Sequence, residues 1–333
     1  MCHSGSVSVL DAARAGDEEA FAQLVAEYRR ELLVHCYRML GSLEDAEDAL
    51  QETLVAGWRG LSGFQQRSSL RAWLYRIATN CCLRAASQRP PRMLSYDHGP
   101  ARSPGDDLGE PVTGPVWLEP WPDHTEGTLA QHGDPAAVWD RRENVELAYV
   151  AALQHLPANQ RAVLILREVL AFSAAEVADL LETSTASVNS ALQRARRTVA
   201  ERTTGPMQSD AGPDAERQRL VNAFVAAFER SDVSALVRLL AEDVRFTMPP
   251  LPAWFDGRDD VLASFGTRVF ATPWRTRPTS CNSQPALVGY QQVDGTFRLG
   301  ALMVLSTRAG QISWIASFVD PDLLARLGLP AEL

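Results

Sequence analysis

Leu156-Pro157-Ala158-Asn159-Gln160-Arg161-Ala162-Val163-Leu164-Ile165-Leu166-Arg167-Glu168, followed by Ser173-Ala174-Ala175-Glu176-Val177-Ala178 and Val188-Asn189-Ser190-Ala191-Leu192, decides how this 333-residue chain is read. Pro157 suits the first position of a helix, where its missing N–H costs nothing, and Val163, Leu166 and Leu170 recur at helical spacing toward a core. Ser173 and Glu176 form an S-x-x-E capping box that opens a second helix, with Val177 and Leu181 as its apolar stripe. Thr183-Ser184-Thr185 ends that helix, and a third runs on to Arg202. Two helices joined by so short a turn form a helix-turn-helix. At about 100° per residue, Val188, Leu192, Ala195 and Val199 share one narrow sector, while Ala186, Ser190, Gln193, Arg194 and Arg197 fall opposite. A helix entering a major groove needs small residues for close approach, polar tips for base edges, and Arg for bases or phosphates. An ordinary helical hairpin with a solvated polar face fits the same pattern.

Three further helical patterns, at 8–40, 44–59 and 68–87, precede this segment, separated by Gly41-Ser42 and by the loop Gly60-Leu61-Ser62-Gly63. The middle one opens with Glu44, Asp45, Glu47 and Asp48, and Gln51 and Glu52 follow, although any helix dipole favours acids in its first turn. On the last, Leu70, Leu74, Ile77 and Cys81 share a side, and Trp73, Arg76, Asn80, Arg84 and Ser87 make an adjacent aromatic, cationic and amide stripe. Residues 67–92 hold six Arg and no acid, whereas residues 1–66 hold five Arg against eleven acids. Charge is segregated, so one face suits phosphate and the other a basic protein.

From Leu156 to Arg196 the chain resembles region 4 of the sigma-70 family of bacterial RNA polymerase specificity subunits, in its extracytoplasmic-function subgroup. Ala171 stands where that family often has Gly, and Asn189 where it often has Lys, which bears on promoter sequence rather than on the fold. The acid-rich helix, the glycine loop and Leu70-Arg71-Ala72-Trp73-Leu74-Tyr75-Arg76-Ile77-Ala78-Thr79-Asn80 resemble regions 2.2 to 2.4, so that the likeness covers residues 7–203. It implies that Asp45, Glu47, Asp48, Gln51 and Glu52 dock on the basic clamp of core RNA polymerase, whose beta and beta-prime subunits become partners. It likewise implies minus-10 contacts by Phe64, Arg71, Trp73, Arg76, Asn80 and Arg84, with Phe64 in the loop 61–69 that captures a flipped base. Trp73 taken alone suits a core position equally well. Minus-35 contacts fall to Thr185, Ala186, Ser187, Asn189, Ser190, Gln193, Arg194 and Arg197.

All 32 basic residues are Arg, which reads as genomic composition bias, and the net charge of −9 is reconciled with DNA binding by the local Arg segment. Hydrophobic content of 46% is ample for two or three cores. Cys2, Cys36, Cys81, Cys82 and Cys281 show no C-x-x-C and no metal spacing, so free and mostly buried thiols are expected. Neither a membrane-spanning run nor a signal peptide is read, and a cytoplasmic location follows as an expectation.

Residues 93–135 hold seven Pro, eight acids and one Arg, the composition of a flexible acidic linker. Within it Trp117-Leu118-Glu119-Pro120-Trp121-Pro122-Asp123 stands out, since exposed tryptophans invite docking; Trp117 and Trp121 are read as regulatory. A second break at 204–213 leads to helical patterns at 215–230 and 233–240, a strand at 244–248, a helix at 259–270, and strands at 285–292, 297–307 and 312–319. Asp294-Gly295 and Ala309-Gly310 suit hairpin turns. With Met248-Pro249-Pro250 and Trp254-Phe255-Asp256-Gly257-Arg258, this α+β segment resembles the SnoaL-like branch of the NTF2-like cone. That fold serves as enzyme, ligand pocket or interaction module. The segment has no His, and Asp243, Asp256 and Asp260 are left as candidates for acid/base work.

The expected organisation is two all-α domains plus an α+β cone: sigma region 2 at 7–92, linker at 93–135, region 4 at 137–203, linker at 204–213 and a regulatory cone at 214–333. No catalytic residue, metal or cofactor is assigned. Core polymerase and promoter DNA are the expected partners, and an unidentified small ligand or protein at the cone is left open. Two other readings are a one-component helix-turn-helix regulator with a ligand-sensing cone and an NTF2-like enzyme with a DNA-binding appendage. The first leaves the pattern from Glu44 to Asn80 unused, and the second leaves both helical domains unused.

Overall fold

The computed structural model describes residues 3–65, 68–123, 146–203 and 214–333, and the chain divides into two compact units, 1–91 with 153–199 and 92–152 with 200–333.

The first unit is helical: α1 (His3–Arg14), α2 (Glu18–Leu40), α3 (Leu43–Gly60), α4 (Leu70–Gln88), the end of α5 (Leu147–Gln154), α6 (Ala158–Leu164), α7 (Ala174–Leu180) and most of α8 (Thr185–Arg202). The single helix expected over 8–40 is two. Gly16 takes φ 96°, open to glycine, and Asp17 restarts the chain as a cap, accepting from the Ala20 N–H at 3.0 Å. Ser42 and Ser69 cap α3 and α4 in the same way. Leu32, Tyr37, Met39, Leu74, Tyr75 and Ala78 fill the core between α2 and α4. Cys36, Cys81 and Cys82 are buried free thiols there, and Cys281 is one in the second unit; Cys2 lies outside the described residues. His35 is fully buried with Nε2 3.0 Å from Thr79 Oγ1. Burial, reinforced by the Arg38 and Arg71 charges, pushes it down to about 3, so the ring is neutral.

The last carbonyls of a helix have no donor within it. At the end of α2 they are met from α5 and α6. Gln154 donates to the Arg38 carbonyl at 3.2 Å and Arg161 to that of Met39. Arg161 also holds the carbonyls of Leu153, Gln154 and Leu156 at 2.8 to 3.1 Å. Burial lowers its pKa to about 10, so it stays charged. After α6 a wider turn over Ile165–Val169 leads to Ala171, held at φ 57°. Both arms of the Ser173–Glu176 capping box are made, at 3.2 and 2.7 Å. Pro157 caps α6 from just outside it.

The second unit contains α9 (Asp214–Glu229), α10 (Val233–Leu239), β1 (Leu240–Thr247), β2 (Trp254–Asp256), α11 (Arg258–Thr267), β3 (Trp274–Cys281), β4 (Gln284–Val293), β5 (Thr296–Arg308), β6 (Gln311–Phe318) and α12 (Pro321–Arg326). Six strands run in the order β2-β1-β6-β5-β4-β3. β1 pairs parallel with β6, and the other neighbours are antiparallel. Phe224, Phe228 and Phe265 from the helices pack with Phe246, Phe255, Leu287, Met303 and Ile315 from the sheet. This is the expected α+β cone, and both glycine hairpins have the left-handed pair of residues that such turns require. The Trp274 ring lies across Gly289 and Gly300, where an added Cβ would come within 3.1 and 3.2 Å of it, so a side chain at either position would have to displace the indole by a few tenths of an ångström.

The reading of a flexible acidic linker is corrected for its described part. Residues 92–123 wind onto the cone. Leu94, Trp117, Leu118 and Trp121 are buried, and Leu108 packs against the aromatic core. The Asn282-Ser283 hairpin turn grips the Trp121 backbone on both sides, N–H to Asn282 Oδ1 and carbonyl to the Asn282 N–H, each at 2.8 Å. Ser95 Oγ donates to the Leu251 carbonyl at 2.8 Å, and Trp254 Nε1 donates to that of Gly99 at 2.8 Å. Arg326 of α12 pairs with Glu119 at 3.2 Å. The acids counted toward disorder, Asp106, Asp107 and Glu110, sit at exposed turns, while a few scattered apolar residues supply the burial that order requires. Residues 124–135 lie outside the described segments.

Candidate nucleic-acid and polymerase interfaces

Helix α8 has the two faces read from its spacing. Val188, Leu192 and Ala195 are buried, and Thr185, Ala186, Ser187, Asn189, Ser190, Gln193, Arg194 and Arg197 are all exposed on one continuous surface. Ser184 caps its first turn, accepting from the Ser187 N–H at 3.1 Å. Arg196, outside the predicted set, is turned aside by Glu168. Arg167 binds the Phe172 carbonyl, which fixes the turn that sets the angle between α6 and α7.

The acidic strip on α3 needs one correction. Glu47, Asp48, Gln51 and Glu52 are exposed, with Val55 exposed one turn further on. Asp45 is not on that surface: it is buried, its N–H is bound by the Ser42 cap, and its carboxylate pairs with Arg89. The spacing could have shown this, because Asp45, Ala49 and Thr53 recur every four residues on the buried side. Glu52 in turn meets Arg84 of α4 at 3.6 Å.

On α4 the predicted minus-10 residues do not make one free surface. Asn80 and Arg84 are exposed. Arg76 is exposed but paired with Glu182, at the end of α7. Arg71 is half-buried, with Nε 3.3 Å from both Glu31 oxygens, and its guanidinium lies over the rings of Tyr75 and Phe172 at 4.8 and 5.3 Å. Trp73 is half-buried against the Gly57–Gly60 side of α3, so it takes the core position it suits, and its outer face meets Phe64 with centroids 5.0 Å apart. Phe64 is buried, and Arg14 of α1 donates to its carbonyl. Sequence reasoning did not find Glu31, Phe172, Glu182 or Arg14, since none of them shares an element with the residues it touches. Among the described residues no helix is long and apolar enough to cross a membrane.

Comparison with known proteins matches three family models: Sigma-70 region 2 over residues 24–90, Sigma-70 region 4 over 146–199, and a SnoaL-like domain over 221–313. The ECF RNA polymerase sigma factor SigG of Mycobacterium tuberculosis is 42% identical over 327 residues, covering 96% of this chain and 86% of that protein. SigJ of the same organism, also described as an ECF RNA polymerase sigma factor, is 30% identical over 66% of this chain and 62% of its own length. The crystal structure of SigJ superposes with a TM-score of 0.62 at 22% identity, over 90% of this chain and 98% of that one, a likeness of fold.

Proposed function

From the premise that this chain belongs to the extracytoplasmic-function sigma factors and so binds core RNA polymerase to direct promoter-specific initiation, we propose how its parts divide that work. The exposed row Glu47, Asp48, Gln51 and Glu52 docks on the basic clamp of the polymerase, with Val55 as its apolar end. Phe64, Arg76, Asn80 and Arg84 serve the minus-10 element. Arg71 and Trp73 support them from beneath, Arg71 through Glu31 and Trp73 through α3. The exposed face of α8 reads the minus-35 element. The observation that carries this reading is the two-faced α8, whose eight predicted contacts are exposed over a buried Val188-Leu192-Ala195 seam.

The cone regulates rather than catalyses. What supports this is the linker: residues 92–123 are wound onto it, so the chain left to join region 2 to region 4 is shorter than the sequence count suggests. A cone that keeps or releases this segment sets how far apart the two DNA-reading regions can reach. The work is done in the cytoplasm, where the polymerase is.

The test is association with purified core polymerase. Reversing Asp48 and Glu52 together to Arg weakens it by about tenfold or more at low salt and less at high salt, as expected for screened charges, with the helix still folded. Native affinity in that double variant would remove the basis for the clamp-binding face.

A further inference from the structure

Residues 94–116 leave the path of the linker and return to it. Met93 and Trp117 form a parallel bridge, with the Met93 N–H on the Val116 carbonyl at 2.8 Å and the Leu118 N–H on the Met93 carbonyl at 2.9 Å. The 23 residues between them therefore make a closed loop. Trp117 ties its two arms together. The indole stacks on His98 with centroids 4.5 Å apart, its Nε1–H donates to the Val112 carbonyl at 2.7 Å, and the Trp117 carbonyl accepts from Arg92 at 3.4 Å. Arg92, Leu94, Ser95, Trp117 and Leu118 are all buried at this base.

The body of the loop is held differently. From Tyr96 to Val116 no residue is fully buried. It crosses the cone on backbone bonds, from the Arg102 N–H to the Trp254 carbonyl at 2.8 Å and from the Val112 N–H to the Pro250 carbonyl at 2.9 Å. Arg268 adds bonds to the carbonyls of Pro104 and Asp106, and Leu108 adds an apolar contact with the aromatic core. A segment with so little buried apolar surface opens more readily than the sheet beneath it.

Resting on the reading that the cone acts by keeping or releasing its linker, we propose that residues 94–116 are slack stowed on the cone and that the Met93–Trp117 bridge is the buckle that keeps them stowed. Opening it returns 23 residues to the connection between region 2 and region 4, up to about 80 Å of extended chain or about 26 Å as a coil. That is the scale of the task, since a minus-10 and a minus-35 element lie about 25 base pairs, or about 85 Å, apart along the duplex. Peeling the body away from Arg268 and the rim of the cone changes no length while the bridge still joins the arms. The switch therefore lies at Trp117 and its partners, and Leu108 and Arg268 serve only to park the loop.

The experiment uses holoenzyme reconstituted from the full chain and purified core polymerase. Met93→Cys with Trp117→Cys places two thiols across a strand pair, where Cα atoms about 4.8 Å apart suit a disulfide. Exchange with oxidised glutathione joins the two sulfurs and releases two molecules of reduced glutathione; dithiothreitol reverses the lock, and the native chain treated alike is the control. The locked chain initiates at least about tenfold less on a promoter carrying both elements, and reduction restores it. Separate fragments bearing only the minus-10 strand or only the minus-35 duplex are bound as by the reduced chain, a split that mere loss of folding does not give. Amide exchange in the native chain supplies a measurement free of substitutions: the Met93 and Leu118 amides, slow in the free chain, exchange about tenfold faster or more in the promoter complex. Amides that stay protected in that complex overturn the stowed loop, whatever the activity of the locked chain. Amides that are freed while the locked chain initiates normally overturn instead the reading that release of the linker regulates initiation.

Discussion

Every residue of α8 read as a base or phosphate contact is exposed, whereas on α4 Arg71 lies among Glu31, Tyr75 and Phe172, and Arg76 is paired with Glu182. The two helices carry similar residues, Arg and amides beside an apolar seam, yet they stand differently toward DNA. Under the proposed division of roles, the α8 face is free of such protein partners. The α4 face would exchange protein partners for phosphate and base, so part of what DNA contributed there would replace contacts already made. Mutations on the two faces therefore have different consequences, and their supports can be disturbed separately.

The largest difference is in acid. His35 sits under α4, and its pKa in the folded protein, about 3, is far below the 6.5 of an exposed imidazole. A lowered folded value means that stability is fully present above about pH 6.5 and declines as pH falls toward 3. The slope over that window is about 1.4 kcal/mol per pH unit. Amide exchange along α4 as a function of pH measures it. His35→Gln should flatten the profile, and a native slope in that variant would mean that another group is responsible.

A smaller effect is expected at the turn before α7. Ala171 occupies the left-handed region at φ 57°, where a Cβ crowds the following carbonyl. Ala171→Gly relieves that strain and should stabilise the helix-turn-helix by about 0.5–1 kcal/mol. Thermal unfolding decides; a lower melting temperature would show that the turn is held by other means. The smallest is Glu182→Ala, which frees Arg76. Both partners are largely exposed, so the pair is worth under about 1 kcal/mol. Affinity for single-stranded minus-10 DNA should rise by up to about fivefold, and a fall would place Glu182 on the DNA-reading side.

How much of this was legible follows from how local each signal is. The seam and face of α8, the Ser173–Glu176 box and the hairpins at Asp294-Gly295 and Ala309-Gly310 are written within a few residues, and each is found where the sequence placed it. β3 was missed because it is an edge strand. Arg275, Arg277 and Pro278 interrupt any apolar alternation, and Glu229 accepts from the Thr276 N–H on the open edge at 2.6 Å. The break at Gly16 was hidden by apolar residues spaced to suit a helix on both sides. The linker misled through its average composition, because Leu94, Leu108, Trp117, Leu118 and Trp121 follow no period, and the bonds that tie the segment to the cone, Trp121 to Asn282, Ser95 to Leu251 and Trp254 to Gly99, join residues more than 100 positions apart. Asp45 was grouped with its acidic neighbours although its spacing puts it with the core.

The division between the two faces is tested most directly by transcription from a promoter library randomised at both elements, with purified core polymerase. Gln193→Ala should shift base preference in the upstream element and leave the downstream one unchanged, and Asn80→Ala should do the reverse. If either substitution altered both elements equally, or if neither altered any position, α8 and α4 would not be the separate readers proposed for them.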